Sequence, residues 1–288
     1  MPRFSLPHGG RVGKWVSITL SGRVTWPARQ CFAVALTALM AGAPLAEAQV
    51  GSVYRTDEVT LRLVADPPAA DGSMRGAIVI DLAPGWKTYW QDPGDAGLAP
   101  RVSIAGDGLA ETPEIRLPAP VRFEEGGARS NGYVMPVGFG FNARADGDTN
   151  LSANVAIGVC RTVCIPVIAD LTLPIAYDAG AKRDPLVAWT FDALPDLEAD
   201  AFDATLIDDG ETLEVELNRR TSSNAADLFA AGPAGWSFGA PHRVGDDRFR
   251  FPVLAHPPVT PNEPLSVTLV LVDGETAIES PSTLVDIE

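Results

Sequence analysis

Histidine, cysteine and methionine are scarce in this sequence, whose 288 residues include three, three and four of them. His242 and His256, the only histidines beyond the N-terminal segment, stand near prolines in stretches that favour surface loops. Zinc sites and Ser-His-Asp triads need clustered histidines, thiolates or carboxylates. A His-Glu-x-x-His motif and a phosphate-binding glycine loop are also missing. These absences argue against triad and zinc-dependent hydrolase chemistry.

Basic residues are few relative to acidic ones, 22 against 37, which gives a net charge of −15. An acidic surface disfavours nucleic acid and anionic lipid as partners, and the basic stripes of a nucleic-acid binder are lacking. Beyond the first 48 residues, no uninterrupted apolar run approaches the roughly 18 to 20 residues that cross a bilayer. We therefore expect no nucleic-acid binding and no membrane insertion of the mature protein.

Residues 1–48 have the pattern of a secretory signal peptide. Five basic residues precede an apolar run from Cys31 to Leu45, which ends in the small-x-small sequence Ala46-Glu47-Ala48. The run is too short for a membrane anchor, and Gly42 and Pro44 interrupt it. We expect cleavage near Ala48 and export to the periplasm, which leaves Cys160 and Cys164 as the cysteines of the mature chain.

Short alternating stretches dominate the rest of the chain, in which glycine (27 residues) and proline (25) are abundant. Val59, Leu61 and Leu63 share one strand face, and turn residues separate the further candidates. Those candidates are 77–82, 101–104, 114–117, 133–141, 150–158, 168–174, 204–207, 212–218, 234–238, 248–254, 265–272 and 283–287. We predict an all-β protein with two antiparallel sandwiches, residues 49–180 and 204–288. The linker, 181–203, is predicted to hold one short helix.

The two mature cysteines lie four positions apart, in a compartment that favours disulfides. A regular strand would separate them by about 13 Å, beyond the reach of a disulfide. The segment must therefore bend sharply, as a helical turn or a bulged strand end. We expect Pro166 and the strand after it to shelter Cys164, which makes Cys160 the favoured point of attack.

Three functions suit this pair. A small ring stabilises a fold little, which favours a redox-active disulfide over a structural one. Two thiolates also suit Cu(I), although a third ligand would be needed. The third hypothesis is a non-catalytic adaptor whose disulfide is structural.

An ordered series of motifs resembles the N-terminal periplasmic (alpha) domain of the DsbD/ScsB family of thiol-disulfide interchange proteins. The motifs are Gly85-Trp86-Lys87-Thr88-Tyr89-Trp90, Asp92-Pro93-Gly94-Asp95-Ala96-Gly97, Pro118-Ala119-Pro120, Arg122-Phe123, Gly126-Gly127, Ser130, Gly132-Tyr133 and Gly158-x-Cys160-x3-Cys164-x-Pro166. The match runs from about Val53 to Pro174. ScsB-like proteins are similar in carrying a second immunoglobulin-like domain after it.

The resemblance implies an immunoglobulin-like fold and a redox-active disulfide that needs no cofactor. It implies a protein-disulfide reductase type of activity and, through ScsB, a link to copper tolerance. A membrane-embedded DsbD/CcdA-like carrier would supply electrons to Cys160 and Cys164, which would pass them to periplasmic thioredoxin-fold proteins. Family members continue into membrane and thioredoxin-like domains, whereas this sequence ends at Glu288. We therefore expect a stand-alone secreted protein with a separate electron donor.

This sequence departs from DsbD at the aromatic cap that shields the cysteines there. Gly126 and Gly127 stand at the cap position, and the cysteine spacing is shorter than in DsbD. Shielding would then come from Phe123, from the Tyr89/Trp90 segment, or be absent. The candidate residues lining the site are Tyr89, Trp90, Phe123, Glu125, Tyr133, Arg161 and Pro166.

Overall fold

The computed structural model describes residues 52–125, 127–177, 182–222, 225–257 and 265–287. The predicted signal peptide, residues 1–48, lies outside these ranges. Within them, no helix is long and apolar enough to cross a membrane.

The first half of the described chain is built of eleven strands. They are β1 (Val53–Arg55), β2 (Val59–Ala65), β3 (Ser73–Leu82), β4 (Thr88–Gly94), β5 (Arg101–Gly106), β6 (Ile115–Arg116), β7 (Val121–Glu125), β8 (Ala128–Tyr133), β9 (Val137–Arg144), β10 (Thr149–Cys160) and β11 (Cys164–Ile175). They form three sheets with the orders β1-β2-β3-β9-β6, β11-β10-β5 and β4-β8-β7. All pairings within these three sheets are antiparallel.

Period-two alternation places the first core between these sheets. Leu61 on β2, Ile78 on β3 and Phe139 on β9 are fully buried, and they share one apolar cluster with Val155 and Ile157 of β10. Alternate residues of β10, such as Asn154, point to solvent. The sheet that contains β2, β3 and β9 thus faces the sheet that contains β10 across a shared core, which is the arrangement of an immunoglobulin-like sandwich.

Apart from a 3-10 turn at Asp208–Gly210, one helix and nine strands follow among the described residues. They are α1 (Pro185–Asp192), β12 (Asp196–Leu197), β13 (Phe202–Ile207), β14 (Thr212–Leu217), β15 (Asp227–Ala231), β16 (Ser237–Phe238), β17 (His242–Arg243), β18 (Arg248–Ala255), β19 (Leu265–Asp273) and β20 (Thr276–Ile287). Asp184 caps α1 by accepting a hydrogen bond from the Leu186 backbone N–H (2.8 Å), and Pro185 suits its first turn.

The strands after α1 form one sheet with the order β15-β19-β20-β13-β14-β18-β16, in which β12 also pairs with β20 and β17 also pairs with β18. Leu228 of β15 and Phe251 of β18 lie far apart in this order but share the second apolar core. The sheet therefore folds over on itself. Its β20 pairs in parallel with β12 and β13, unlike the antiparallel pairing predicted from the sequence.

Strands β15 and β19 contribute to both cores. Leu228, Leu269 and Leu271 face the second core, whereas their neighbours Phe229 and Val270 belong to the first. Because successive side chains of a strand point to opposite faces, these two strands form a layer with one apolar core on either side. The part of the contact between the sandwiches that these two strands form is therefore apolar and buried.

The structure confirms the all-β, immunoglobulin-like class and corrects several details. Residues 133–141, predicted as one strand, are divided between β8 and β9 around Pro136. The β7–β8 hairpin was not predicted, because Glu124 to Gly127 has the polar composition of a loop. The cysteine segment does bend, but as the turn of the β10–β11 hairpin rather than as a helical turn or a bulge.

Candidate functional site: a disulfide at a hairpin tip

A disulfide joins Cys160, the last residue of β10, to Cys164, the first residue of β11. The two cysteines face each other as the final pair of the hairpin ladder, with a Cα–Cα distance of 4.1 Å. Beyond them lies only the turn Arg161–Val163, whose Val163 is exposed. The pair is thus presented at the tip of a long, regular hairpin.

The two cysteines differ sharply in exposure. Cys160 is 1% exposed, and its backbone exchanges two hydrogen bonds of 2.9 Å with Lys87, the residue before β4. Cys164 is exposed. The expectation that Pro166 would shelter Cys164 was wrong, because Pro166 is itself exposed on an open strand face. An incoming thiolate therefore reaches Cys164 more readily than Cys160.

Tyr89 on β4 is the side chain that contacts the exposed cysteine. Its hydroxyl lies 3.5 Å from Sγ of Cys164 and is the donor, since a disulfide sulfur carries no hydrogen. Gly97 allows the ring to lie there, because a Cβ at this glycine would stand 2.5 Å from two ring carbons. The aromatic ring is buried while its hydroxyl reaches the disulfide.

Phe123 on β7 packs against Tyr89, with ring centroids 6.1 Å apart. The ammonium of Lys87 lies 4.9 Å from the Phe123 ring centre. Arg161 extends its guanidinium over Trp86, 5.2 Å from the ring centre. Tyr89 contacts the disulfide, Phe123 packs on Tyr89, and Lys87 lies over Phe123, whereas the sequence did not predict Lys87 as a site residue. Lys87 is connected to the site by its backbone hydrogen bonds with Cys160, which only the folded structure shows.

Two of the candidate residues lie elsewhere. Trp90 follows Tyr89 on β4 and so points to the opposite face, where it packs edge-on against Phe229 at 6.0 Å. Tyr133 lies in the first core against Phe139, and its hydroxyl donates to the Pro118 carbonyl (2.7 Å). Burial raises the pKa of the Tyr133 hydroxyl well above its usual value, so it stays protonated. Trp90 and Tyr133 therefore pack in the interior and do not line the disulfide.

Glu125 ends strand β7 opposite Ala128, and its role at the site stays a prediction. Gly126 lies outside the described residues. Gly127 turns with a φ of +87°, and a Cβ there would meet no atom within 4 Å. Of the predicted aromatic neighbours, Tyr89 contacts the disulfide and Phe123 packs behind Tyr89.

Asp92 was interpreted from the sequence as a turn residue, and its Oδ1 does accept from the Gly94 backbone N–H (2.8 Å). Its Oδ2 also accepts from the backbone N–H of Phe238 in the second sandwich (3.1 Å). Burial raises the pKa of Asp92 to about 6, against the lowering effect of these two hydrogen bonds and of Arg122. The sequence around Asp92 could not predict its hydrogen bond with Phe238, because the two residues are far apart in the chain.

Among the described residues, no three His, Cys, Asp or Glu side chains come together as a metal site. His242 lies on β17, and His256 stacks on Trp236 with ring centroids 5.2 Å apart, both in the second sandwich. The segment Gly235-Trp236-Ser237-Phe238-Gly239 has the spacing of a hydrolase nucleophile elbow, so the expectation that such a motif is missing was wrong. Ser237 begins β16 and pairs with Ala255, so the strand-to-helix turn of such an elbow is not formed.

Comparison with known protein families gives two matches. Residues 59–176 match the family described as "Thiol:disulfide interchange protein DsbD, N-terminal". Residues 193–286 match a domain of unknown function, DUF8393. A search of curated proteins found no significant match.

Among solved structures, the N-terminal periplasmic domain of ScsB from Proteus mirabilis is similar to this chain. The TM-score is 0.62 at 20% identity, over 81% of this chain and 97% of that one. Tandem Ig repeats of Dlar (TM-score 0.23, 10% identity, 80% and 98% coverage) and the N-terminal Ig1-2 module of the Drosophila receptor protein tyrosine phosphatase DLAR (0.20, 10%, 78% and 95%) also match. These last two TM-scores are too low to carry an argument. The first supports the fold.

Proposed function

Because residues 59–176 belong to the family of DsbD N-terminal domains, we propose that this protein is a periplasmic thiol-disulfide interchange protein. In this proposal, Cys160 and Cys164 relay reducing equivalents from a membrane-embedded electron carrier to thioredoxin-fold proteins. The observation that carries it is the asymmetry of the pair, one cysteine exposed at a hairpin tip and the other buried. Redox-active pairs need one sulfur that a partner can reach.

The chemistry follows from this asymmetry. A thiolate of the reduced carrier attacks Sγ of Cys164, forms a mixed disulfide and displaces Cys160 as a thiolate. The second thiol of the carrier then attacks the mixed disulfide and releases Cys164. The carrier ends as a disulfide, and two electrons and two protons have passed to the Cys160/Cys164 pair.

The same two cysteines then pass the electrons to the partner, and Cys164 is now the attacking thiolate. The Cys164 thiolate attacks the disulfide of an oxidised thioredoxin-fold partner, and Cys160 resolves the adduct, which restores the disulfide and leaves the partner reduced. The Tyr89 hydroxyl, 3.5 Å from Cys164, donates a hydrogen bond that stabilises the Cys164 thiolate. Cys160 acts from the buried side, held by its backbone contact with Lys87.

The test is a pair of matched variants incubated, after reduction, with a purified and oxidised periplasmic thioredoxin-fold protein. Cys160→Ser keeps the exposed attacking sulfur and lacks the resolving one, so we expect a stable mixed disulfide in non-reducing electrophoresis. Cys164→Ser keeps only the buried sulfur, and we expect little or no adduct. If neither variant forms an adduct and the wild-type pair stays oxidised below about −300 mV, the disulfide is structural and the proposal fails.

Copper handling by the same two thiolates stays a hypothesis. A Cu(I) titration of the reduced protein addresses it directly, because tight stoichiometric binding that Cys160→Ser abolishes would favour that function.

A further inference from the structure

The strands that carry Tyr89 and Phe123 have their other face against the second sandwich. On β4, Tyr89 faces the disulfide, whereas Trp90 packs on Phe229 of β15. On β7, Phe123 packs on Tyr89, whereas its neighbour Arg122 faces the second sandwich. The sheet β4-β8-β7 is therefore a layer between the disulfide and the second sandwich.

Arg122 makes several contacts across this layer. Its guanidinium forms a bidentate pair with the carboxylate of Asp227 on β15 (2.9 and 3.2 Å) and donates to the Leu228 carbonyl (2.6 Å). It lies over the Phe229 ring, 4.3 Å from its centre, and donates to Asn131 on β8 (2.9 Å). Planar, bidentate arginine pairs of this kind fix orientation as well as position.

A second contact acts on β4 itself. Asp92 accepts a hydrogen bond from the Phe238 backbone on β16, and its own carbonyl accepts from Nδ2 of Asn131 (3.1 Å). Asn131 thereby joins Asp92 on one side and Arg122 on the other. The second sandwich thus holds both strands from which Tyr89 and Phe123 extend toward the disulfide.

We infer that the second sandwich is part of the scaffold of the redox centre, and that Arg122 is a positioning residue for Tyr89 and Phe123. The inference gives a role to residues 193–286, which match a domain of unknown function. It rests on the proposed function only in that the positioned disulfide is taken to be the working group. Arg122 does not touch the sulfurs and acts through the strand that carries Phe123.

The readout is the equilibrium of the Cys160/Cys164 disulfide with dithiothreitol buffers, which needs no protein partner. A tyrosine hydroxyl that stabilises the reduced thiolate makes the disulfide easier to reduce. Arg122→Met loosens the layer and weakens this hydrogen bond. We expect reduction to become about threefold less favourable, which is about 14 mV for a two-electron couple.

Arg116→Met is the matched control. Arg116 also pairs with the second sandwich, through Glu279 at 2.9 Å, and the two arginine side chains are similarly exposed, 24% and 22%. Arg116 lies on β6, which pairs with β9 and not with the layer behind the disulfide. We expect Arg116→Met to leave the redox equilibrium unchanged, although it also removes an ion pair between the sandwiches.

A double variant decides how Arg122 acts. Tyr89→Phe removes the hydroxyl and should shift the equilibrium in the same direction as Arg122→Met. In the Tyr89→Phe background, Arg122→Met should have no further effect, because the two changes remove the same interaction. Asp227→Asn weakens the same pair from the second sandwich, and we expect a smaller shift in the same direction.

Three results would overturn the inference: a wild-type equilibrium in both Arg122→Met and Asp227→Asn, an equal shift in Arg116→Met, or an undiminished Arg122 effect in the Tyr89→Phe background. If Arg122→Met does not fold, the redox equilibrium of Asp227→Asn alone decides the test. Failure of the proposed function has a different signature, since it appears in the trapping of thioredoxin-fold proteins, while the dithiothreitol equilibrium remains measurable.

Discussion

Each sandwich contains a long hairpin, and the two hairpins have different surroundings. The ladder of β10 and β11 ends in the pair Cys160 and Cys164, and the ladder of β19 and β20 ends in Asp273 and Thr276. One face of β10 is solvated, whereas β19 has a core on either side. The first hairpin therefore exposes Cys164 to solvent, whereas strand β19 of the second hairpin packs against a core on both faces.

This difference indicates how the two sandwiches divide their tasks. The immunoglobulin-like fold does not by itself determine function, which depends on the residues placed on it. The first sandwich carries the disulfide and its aromatic neighbours. The second contributes Phe229 to the first core and Asp227 to the Arg122 pair. Three measurements test whether the second sandwich is integral to the first or merely attached to it.

The largest effect is expected from Trp90→Ala, at the apolar contact between the sandwiches. Trp90 is 1% exposed and packs against Phe229, so its truncation should lower the free energy of unfolding by about 3–5 kcal/mol. Trp189→Ala is the control, since this tryptophan on α1 is 42% exposed against 1% for Trp90, and it should cost less, about 1 kcal/mol. Urea unfolding followed by circular dichroism measures both. Equal costs for the two variants would show that the contact does not couple the sandwiches.

An intermediate effect is expected from the buried carboxyl at the same contact. Burial raises the pKa of Asp92 from 3.8 to about 6, so the folded protein binds this proton more tightly than the unfolded chain does. The free energy of unfolding should therefore fall as the pH rises from about 4 to 6 and level off above that. Relative to Asp92→Asn, the wild type should lose up to about 3 kcal/mol between pH 4 and 7. Parallel stability curves for the two proteins would contradict this.

The smallest effect is expected from reducing the disulfide. The ring closed by Cys160 and Cys164 spans four positions of sequence, and chain-entropy reasoning gives it only about 2 kcal/mol of stabilisation. Chemical denaturation of the oxidised and reduced wild type measures the difference. A loss well above that value would indicate a structural bridge and would favour the adaptor hypothesis.

Local patterns predicted much of the fold. The alternation of Val59, Leu61 and Leu63 predicted β2, and Asp273-Gly274 predicted the β19–β20 turn. The cysteine spacing alone required a sharp bend, which is the hairpin turn. These features depend on neighbouring residues, so the sequence contains their signal.

The remaining features depend on contacts between distant residues. Tyr89 and Trp90 are adjacent aromatics, and the sequence could not indicate that one faces a disulfide and the other Phe229. Asp92 gave a correct turn prediction, whereas its second hydrogen bond goes to Phe238. The exposure of Cys164 was predicted incorrectly for the same reason, since it depends on which strands cover the hairpin tip.

The regular ladder beneath Cys160 and Cys164 has a consequence for the speed of a redox cycle. Eleven further residue pairs hold β10 to β11, and Lys87 holds the backbone of Cys160. We therefore expect the chain to stay in place when the sulfur–sulfur bond breaks, so that both redox states share nearly the same backbone. In the proposed relay, electron transfer would then need little structural reorganisation, and its rate should depend on the encounter with the partner rather than on refolding of this protein.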